Sequence, residues 1–277
     1  MLAGGPEKAA LPRDTIFAAI MLICTGVVGI CMMVGGLRHR EQTFQLDGAN
    51  AALAALVTLA GVSLVLPSFT TSSVEGTYTD SQLVMAAVAS LVLWAVFVLV
   101  QTVRHRDYFL PEVNAANEDV HAVPPTTRIA VASLVLLLIS LVAVVGLAKQ
   151  LSPTIEAGIA AVNAPKTVIG IIIAMIVLLP ETWAAVRAAR ADRLQTSMNL
   201  ALGSALASIG LTIPAVVATA VILDLSLVLG LQIKDMALLI LTFMVAAITL
   251  GTGRTTVMQG ATHLVLFAIF IFLAFVP

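Results

Sequence analysis

Charge is scarce in this chain. Only 10% of its 277 residues are Asp, Glu, Lys or Arg, and 60% are apolar, whereas a soluble domain carries charge on roughly a quarter of its residues. An ordinary soluble fold is excluded, and the length leaves no room for a large soluble domain beside a membrane one. Cysteine is nearly absent. Cys24 and Cys31 lie seven apart on one helix face, where they cannot bridge, so they are small packing residues. The first 14 residues hold Glu7, Lys8, Arg13 and Asp14 and lack the basic start of a signal peptide; the apolar stretch that follows is too long for one. A net charge of −1 favours no nucleic-acid partner. The chain has no Gly-x-x-x-x-Gly-Lys phosphate loop, which argues against ATP-driven pumping, and no resident cofactor is expected.

What is present is a series of long apolar runs. A bilayer core of about 30 Å is crossed by about 20 apolar helical residues, and eight segments qualify: 15–37, 49–66, 81–103, 129–148, 166–187, 197–223, 236–253 and 255–277. The expected fold class is an all-α membrane protein of about eight transmembrane helices, with lipid as its surroundings; the pattern fixes no oligomeric state. The stretch 152–165 is apolar but too short to span, so it either extends a neighbouring helix or lies in the interface. Residues 1–103 form an N-terminal half of three helices and 129–277 a C-terminal half of five. Between them, 104–128 is an acidic linker without the ligand spacing of an EF-hand loop. Nine basic residues follow odd-numbered helices, among them Arg38, Arg104, Arg187 and Arg254, against five on the other side. That bias places the odd-helix loops in the cytoplasm and both termini outside.

Helices six to eight echo helices one to three. FQLDGANAALAAL after the first helix matches LQIKDMALLIL after the sixth, and TYTDSQLVMAAV opening the third matches TTVMQGATHLVLFA opening the eighth. Gly29 and Gly210 each stand at mid-helix. The two units start from opposite sides, the arrangement of inverted repeats in secondary transporters. Two helices, four and five, precede the second unit and none precedes the first. The symmetry therefore predicts two further helices upstream of Thr15, one with an acidic residue.

The fifth apolar run contains Glu181, directly after Pro180. A charge in hydrocarbon costs roughly 2.5–3.5 kcal/mol on lenient scales and turns toward a partner or an aqueous cavity. The proline lacks an N–H and frees a carbonyl nearby, so the pair predicts a cation site at a break in the helix. The alternative is an edge residue paired with Arg187. The sixth run is interrupted by Gly203, Gly210 and Pro214.

The segment LLPETWAAVRAARADRLQTSMNLALGSALASIGLTIPAV, residues 178–216, resembles the second α-repeat of the calcium/cation antiporter superfamily, and most closely the ChaA-type calcium/proton and sodium/proton antiporters. PRDTIFAAIM from Pro12, GGLRHREQTFQLDGANA from Gly35, LSPTIEAG from Leu151 and MQGATHLVLF from Met258 fit the same subfamily. The resemblance implies a ten- or eleven-helix fold of two inverted repeats, of which this chain carries part, a central cation site, alternating access and a bacterial inner-membrane location. It implies that Glu181 binds the cation and that Ser204, with Gly203, helps coordinate it. Two departures argue against strict calcium selectivity: Val177 and Leu178 stand where vacuolar-type relatives have Gly-Asn, and Ala207, beside Ser208, stands where they have glutamine.

An antiporter needs one group that a cation or a proton occupies in turn, and a buried carboxylate suits this because burial disfavours its bare ionised form. Ca²⁺ wants six to eight oxygen ligands, and Glu181 supplies at most two. Ser204, Ser208 and Thr212 are the further oxygens on the sixth helix, with Ser204 and Ser208 on one face. Asn199 lies at a different angle, and Thr25 beside Gly26 is the mid-helix oxygen of the first helix. The expected cargo is Ca²⁺, with Na⁺ or K⁺ as alternatives, exchanged for protons. Glu156 falls near the outer surface, where guiding cations inward is the lesser of its two readings. His263 fits an interhelical hydrogen bond better than a proton relay. Competing readings are an intramembrane hydrolase using Ser204 or Ser208 with His263, and a non-catalytic permease subunit.

Overall fold

In the computed structural model, residues 9–74, 76–110, 126–161, 165 and 167–276 are described. The first span, Leu11–His39, is α1 (Leu11–Met21) and α2 (Val28–His39) joined by a π-helical turn over Leu22–Val27. Strand β1 (Gln42–Thr43) leads into α3 (Leu46–Ala60), which continues through a π turn and a 3₁₀ turn to Ser68. Helix α4 (Asp80–Leu99) runs on to Arg104. Then come α5 (Thr127–Ala161), α6 (Thr167–Arg190), α7 (Leu194–Ile222), α8 (Ile233–Leu250), strand β2 (Arg254–Thr255) and α9 (Val257–Phe275). Eight helices among the described residues are long and apolar enough to cross a membrane, one for each expected run.

The stretch 152–165 is, as far as Ala161, a continuation of α5 through Pro153. Most of the expected linker, residues 111–125, lies outside the described residues. Helices α6 and α7 differ from expectation. Both run unbroken through Pro180 and Pro214. A proline removes one ladder N–H, and a long packed helix absorbs that loss while its neighbouring bonds hold. The irregular backbone sits instead in the π turns of the first three spans.

The first span is the most enclosed: α1 packs on α6, α2 on α9, and its π turn meets α6, α7, α8 and α9. The fourth, at the start of α5, has no buried residue in its apolar window among the described residues. Exchanging spans one to three for six to eight maps several contacts onto each other. The first span packs on the eighth through α2 and α9, and the sixth on the third through α7 and α4. Ahead of the second span, Gln42 and Thr43 pair antiparallel with Thr255 and Arg254 ahead of the eighth. Ahead of the third, Thr77 bridges antiparallel to Val228 ahead of the seventh. The third and eighth spans open alike: Gln82 Oε1 accepts the Thr79 N–H at 2.9 Å, and Gln259 Oε1 accepts the Thr256 N–H at 2.9 Å, the reciprocal side-chain cap that satisfies a free helix-start donor.

Small residues let these helices approach closely. A Cβ on Gly260 would fall 2.5 Å from the Met33 nitrogen and 2.8 Å from its Cα, backbone that cannot step aside, whereas one on Gly203 would meet nothing within 4 Å. Gly260→Ala is expected to destabilise the fold by about 1–3 kcal/mol, and Gly203→Ala to leave it unchanged, as read from thermal unfolding of the purified proteins in detergent.

Candidate cation site

Glu181 sits on α6, one residue past Pro180, which has no N–H to offer the Ile176 carbonyl. Its side chain is half-buried, and its Oε2 is fully buried with no hydrogen-bond partner. It lines a cavity of about 10 Å³ with Ile23, Val27, Leu178, Thr182, Ala201 and Ser204. That volume is about what one water-sized particle needs. Thr182 spends its hydroxyl proton on the Leu178 carbonyl at 2.7 Å. Apart from Thr182 and Ser204 the walls are apolar, so the buried Oε2 is left without a hydrogen-bond donor among the described residues. Arg187 forms no ion pair with Glu181 among the described residues, and it is exposed.

The structure brings Glu181 and Ser204 to one cavity and sets the other expected ligands around it. Ser208 and Thr212, one and two turns along α7 from Ser204, line a second cavity of about 450 Å³ between the first span, α6 and α7. Thr15 and Thr219 also line it, and Leu178 lines both cavities. The face of α7 carrying Ser204, Ser208 and Thr212 thus runs from the small chamber into the large one. Asn199 is elsewhere. Its Nδ2 donates to the Phe109 carbonyl at 2.6 Å and its Oδ1 accepts from Gln195 Nε2 at 3.0 Å, so one end ties α7 to the turn after the third span and the other is held within α7. Thr25 is fully buried in the π turn and gives its proton to the Met21 carbonyl. The side chain of Glu156 lies outside the described residues. Among the described residues, no cluster of three or more His, Cys, Asp or Glu side chains could hold a metal ion.

Sequence reasoning missed the walls Ile23 and Val27, contributed by the π turn, because nothing in residue type marks a helix that gains one residue per turn. His263 is fully buried and does join helices: Nδ1 lies 2.7 Å from the Cys24 carbonyl on the first span and Nε2 2.8 Å from Thr249 Oγ1 on α8. A carbonyl only accepts, so Nδ1 carries a proton; the Thr249 hydroxyl lies 2.8 Å from both Nε2 and the Val245 carbonyl and has one proton for the two. Near the opposite end of the first span, Arg13 pairs with Asp14 at 2.7 Å and reaches the Gly230 carbonyl at 3.1 Å.

A family profile described as sodium/calcium exchanger protein matches residues 1–103 and 132–276. The chain is 50% identical over 277 residues to a Sinorhizobium fredii protein, y4hA, provisionally assigned as an ionic transporter, covering 100% of this chain and 75% of that protein. It is 31% identical over 277 residues to the Escherichia coli sodium-potassium/proton antiporter ChaA, covering 99% of this chain and 75% of the relative. The H⁺/Ca²⁺ exchanger CAX shares the fold, with a TM-score of 0.72 at 14% identity over 98% of this chain and 67% of that one. Native YfkE also shares it, with a TM-score of 0.69 at 17% identity over 98% and 79%.

Asn199→Ala removes two hydrogen bonds and strands the buried partners. It is expected to cost about 1–3 kcal/mol of stability and to leave the apparent cation KM within about twofold, as measured by thermal unfolding and by transport in reconstituted vesicles.

Proposed function

As the chain belongs to the sodium/calcium exchanger protein family, we propose that it exchanges protons for Ca²⁺, Na⁺ or K⁺ at Glu181. It is a multi-pass protein of the bacterial inner membrane and a secondary antiporter in fold and family. The observation that carries the proposal is the Glu181 Oε2, buried and unpartnered beside Ser204 in a chamber the size of one small particle.

A carboxylate in that chamber is complete with one proton or with one cation, and not with both. Binding one excludes the other, which is the condition for obligatory exchange. Ser204 offers the cation a hydroxyl oxygen, and the larger cavity beside Ser208 and Thr212 is a route by which ions reach the chamber from one side. One carboxylate balances a single positive charge, so Na⁺ and K⁺ need no further anion. That agrees with the Escherichia coli relative, a sodium-potassium/proton antiporter. Ca²⁺ requires more oxygens than the chamber walls supply.

The hydrolase alternative finds no support in the geometry. Both ring nitrogens of His263 are engaged by Cys24 and Thr249, and Ser204 faces Glu181. Nucleophile and base would have to lie within hydrogen-bond reach of each other. We read the chain as a transporter and not an enzyme.

Everted vesicles bearing the full-length protein are expected to show cation-dependent dequenching of a proton-gradient dye. Glu181→Gln should abolish it for every cation. Ser204→Ala should raise the apparent cation KM about tenfold, the loss of about 1.4 kcal/mol expected for one interaction with a charge. Dequenching by Glu181→Gln equal to that of the parent would remove Glu181 from the mechanism.

A further inference from the structure

We infer that His263 is a positioning residue for the cation site, holding open the π-helical turn whose Ile23 and Val27 wall the chamber of Glu181. The inference rests on the assignment of that chamber as the transport site.

The backbone accounting of the turn is specific. In an α-helix the Val28 N–H would go to the Cys24 carbonyl four residues back. Here it goes to Ile23, five back, and to Thr25. The Cys24 carbonyl is left without its ladder donor inside the protein, where an unpaired carbonyl costs about 1–3 kcal/mol. His263 Nδ1 takes it at 2.7 Å. Thr25 adds its hydroxyl to the Met21 carbonyl, the same back-bond that Thr15, Thr182 and Thr219 make in regular helix. One side chain therefore replaces the hydrogen bond that the Cys24 carbonyl gives up, and it arrives from the last span. Room for it is reserved: a Cβ on Gly29 would lie 3.0 Å from the His263 Cβ.

The turn matters to the chamber because of helix geometry. One extra residue in a turn rotates everything beyond it by about 100° relative to a continuous α-helix. With the turn in place, Ile23 and Val27 both face Glu181 and Ser204, while α1 keeps its contact with α6 and α2 keeps its contact with α9. If the turn reverted to α-helix, Val28 would reclaim the Cys24 carbonyl, α1 and α2 could not both keep their seats on α6 and α9, and the wall that Ile23 and Val27 share on one helix face would turn with them. The anchor of Nε2 on Thr249 fixes the ring against α8, so His263 carries the position of three helices to one carbonyl.

The experiment measures Na⁺, K⁺ and Ca²⁺ exchange by the full-length protein in proteoliposomes. His263→Ala is expected to raise the apparent KM of the transported cation about tenfold, one hydrogen bond's worth, with turnover at saturating cation within about twofold of the parent. His263→Asn places an amide N–H where Nδ1 stands and should bring KM back to within about threefold. His263→Gln places it where Nε2 stands and should not. A parent-like KM in His263→Ala, or equal KM values for the Asn and Gln variants, overturns the inference. Should His263→Ala fail to insert, the order of the Asn and Gln variants decides alone, and Gln outperforming Asn is the contrary result. Glu181→Gln is run alongside: its loss of exchange with an unaffected His263→Ala defeats this inference only, whereas parent-like exchange by Glu181→Gln defeats the assignment beneath it.

Discussion

A carboxylate oxygen enclosed by protein without a counter-charge is the constraint on which this structure depends. Among the described residues Glu181 Oε2 has neither an arginine nor a hydrogen-bond donor, and a buried polar atom left so is costly. A structural acid would have been given a partner, as Asp14 is by Arg13. Leaving this one unpaired keeps its requirement for neutralisation open to whatever enters the chamber. The surrounding architecture serves that vacancy of charge. Helix α6 presents the acid, α7 presents Ser204, and the first span closes the remaining wall.

The enclosure of the first span follows from the same need. Three walls of a chamber this small must be held by packing on all sides, and Leu11–His39 is the span most surrounded by its neighbours. Its π turn lets one continuous helix satisfy two sets of contacts that a regular helix could not meet together. The repeat relation supports this arrangement from outside: the pairing of Gln42 with Thr255 and the bridge of Thr77 to Val228 brace the two bundles in equivalent ways. The matched helix starts at Thr79 and Thr256 set the entry of the two supporting spans.

The spans were legible in the chain because a bilayer demands long apolar runs, and their number and order emerge from composition alone. Glu181 was legible for the converse reason, as a charge where hydrocarbon is expected. Ser204 could be paired with it through the helix spacing and the family resemblance. Azimuth was harder. Asn199 and Ser204 share one helix, yet Asn199 turns to Phe109 and Gln195, a direction that depends on which neighbours surround α7. The two prolines suggested broken helices where α6 and α7 in fact continue, since local chemistry marks a missing donor but not whether packing tolerates it. The π turn left no trace in LICTGV because its stabilising donor, His263, lies 239 positions away from Cys24.

That separation bears on how the protein is made. The strand pairing before the second and eighth spans, like the seat of α2 on α9, joins spans that lie far apart in the sequence. Contacts so distant along the chain form late. During insertion the span Leu11–His39 therefore waits among lipids, its wide turn short of one acceptor's partner, until α9 has been made. The chamber closes only once α9 takes its seat.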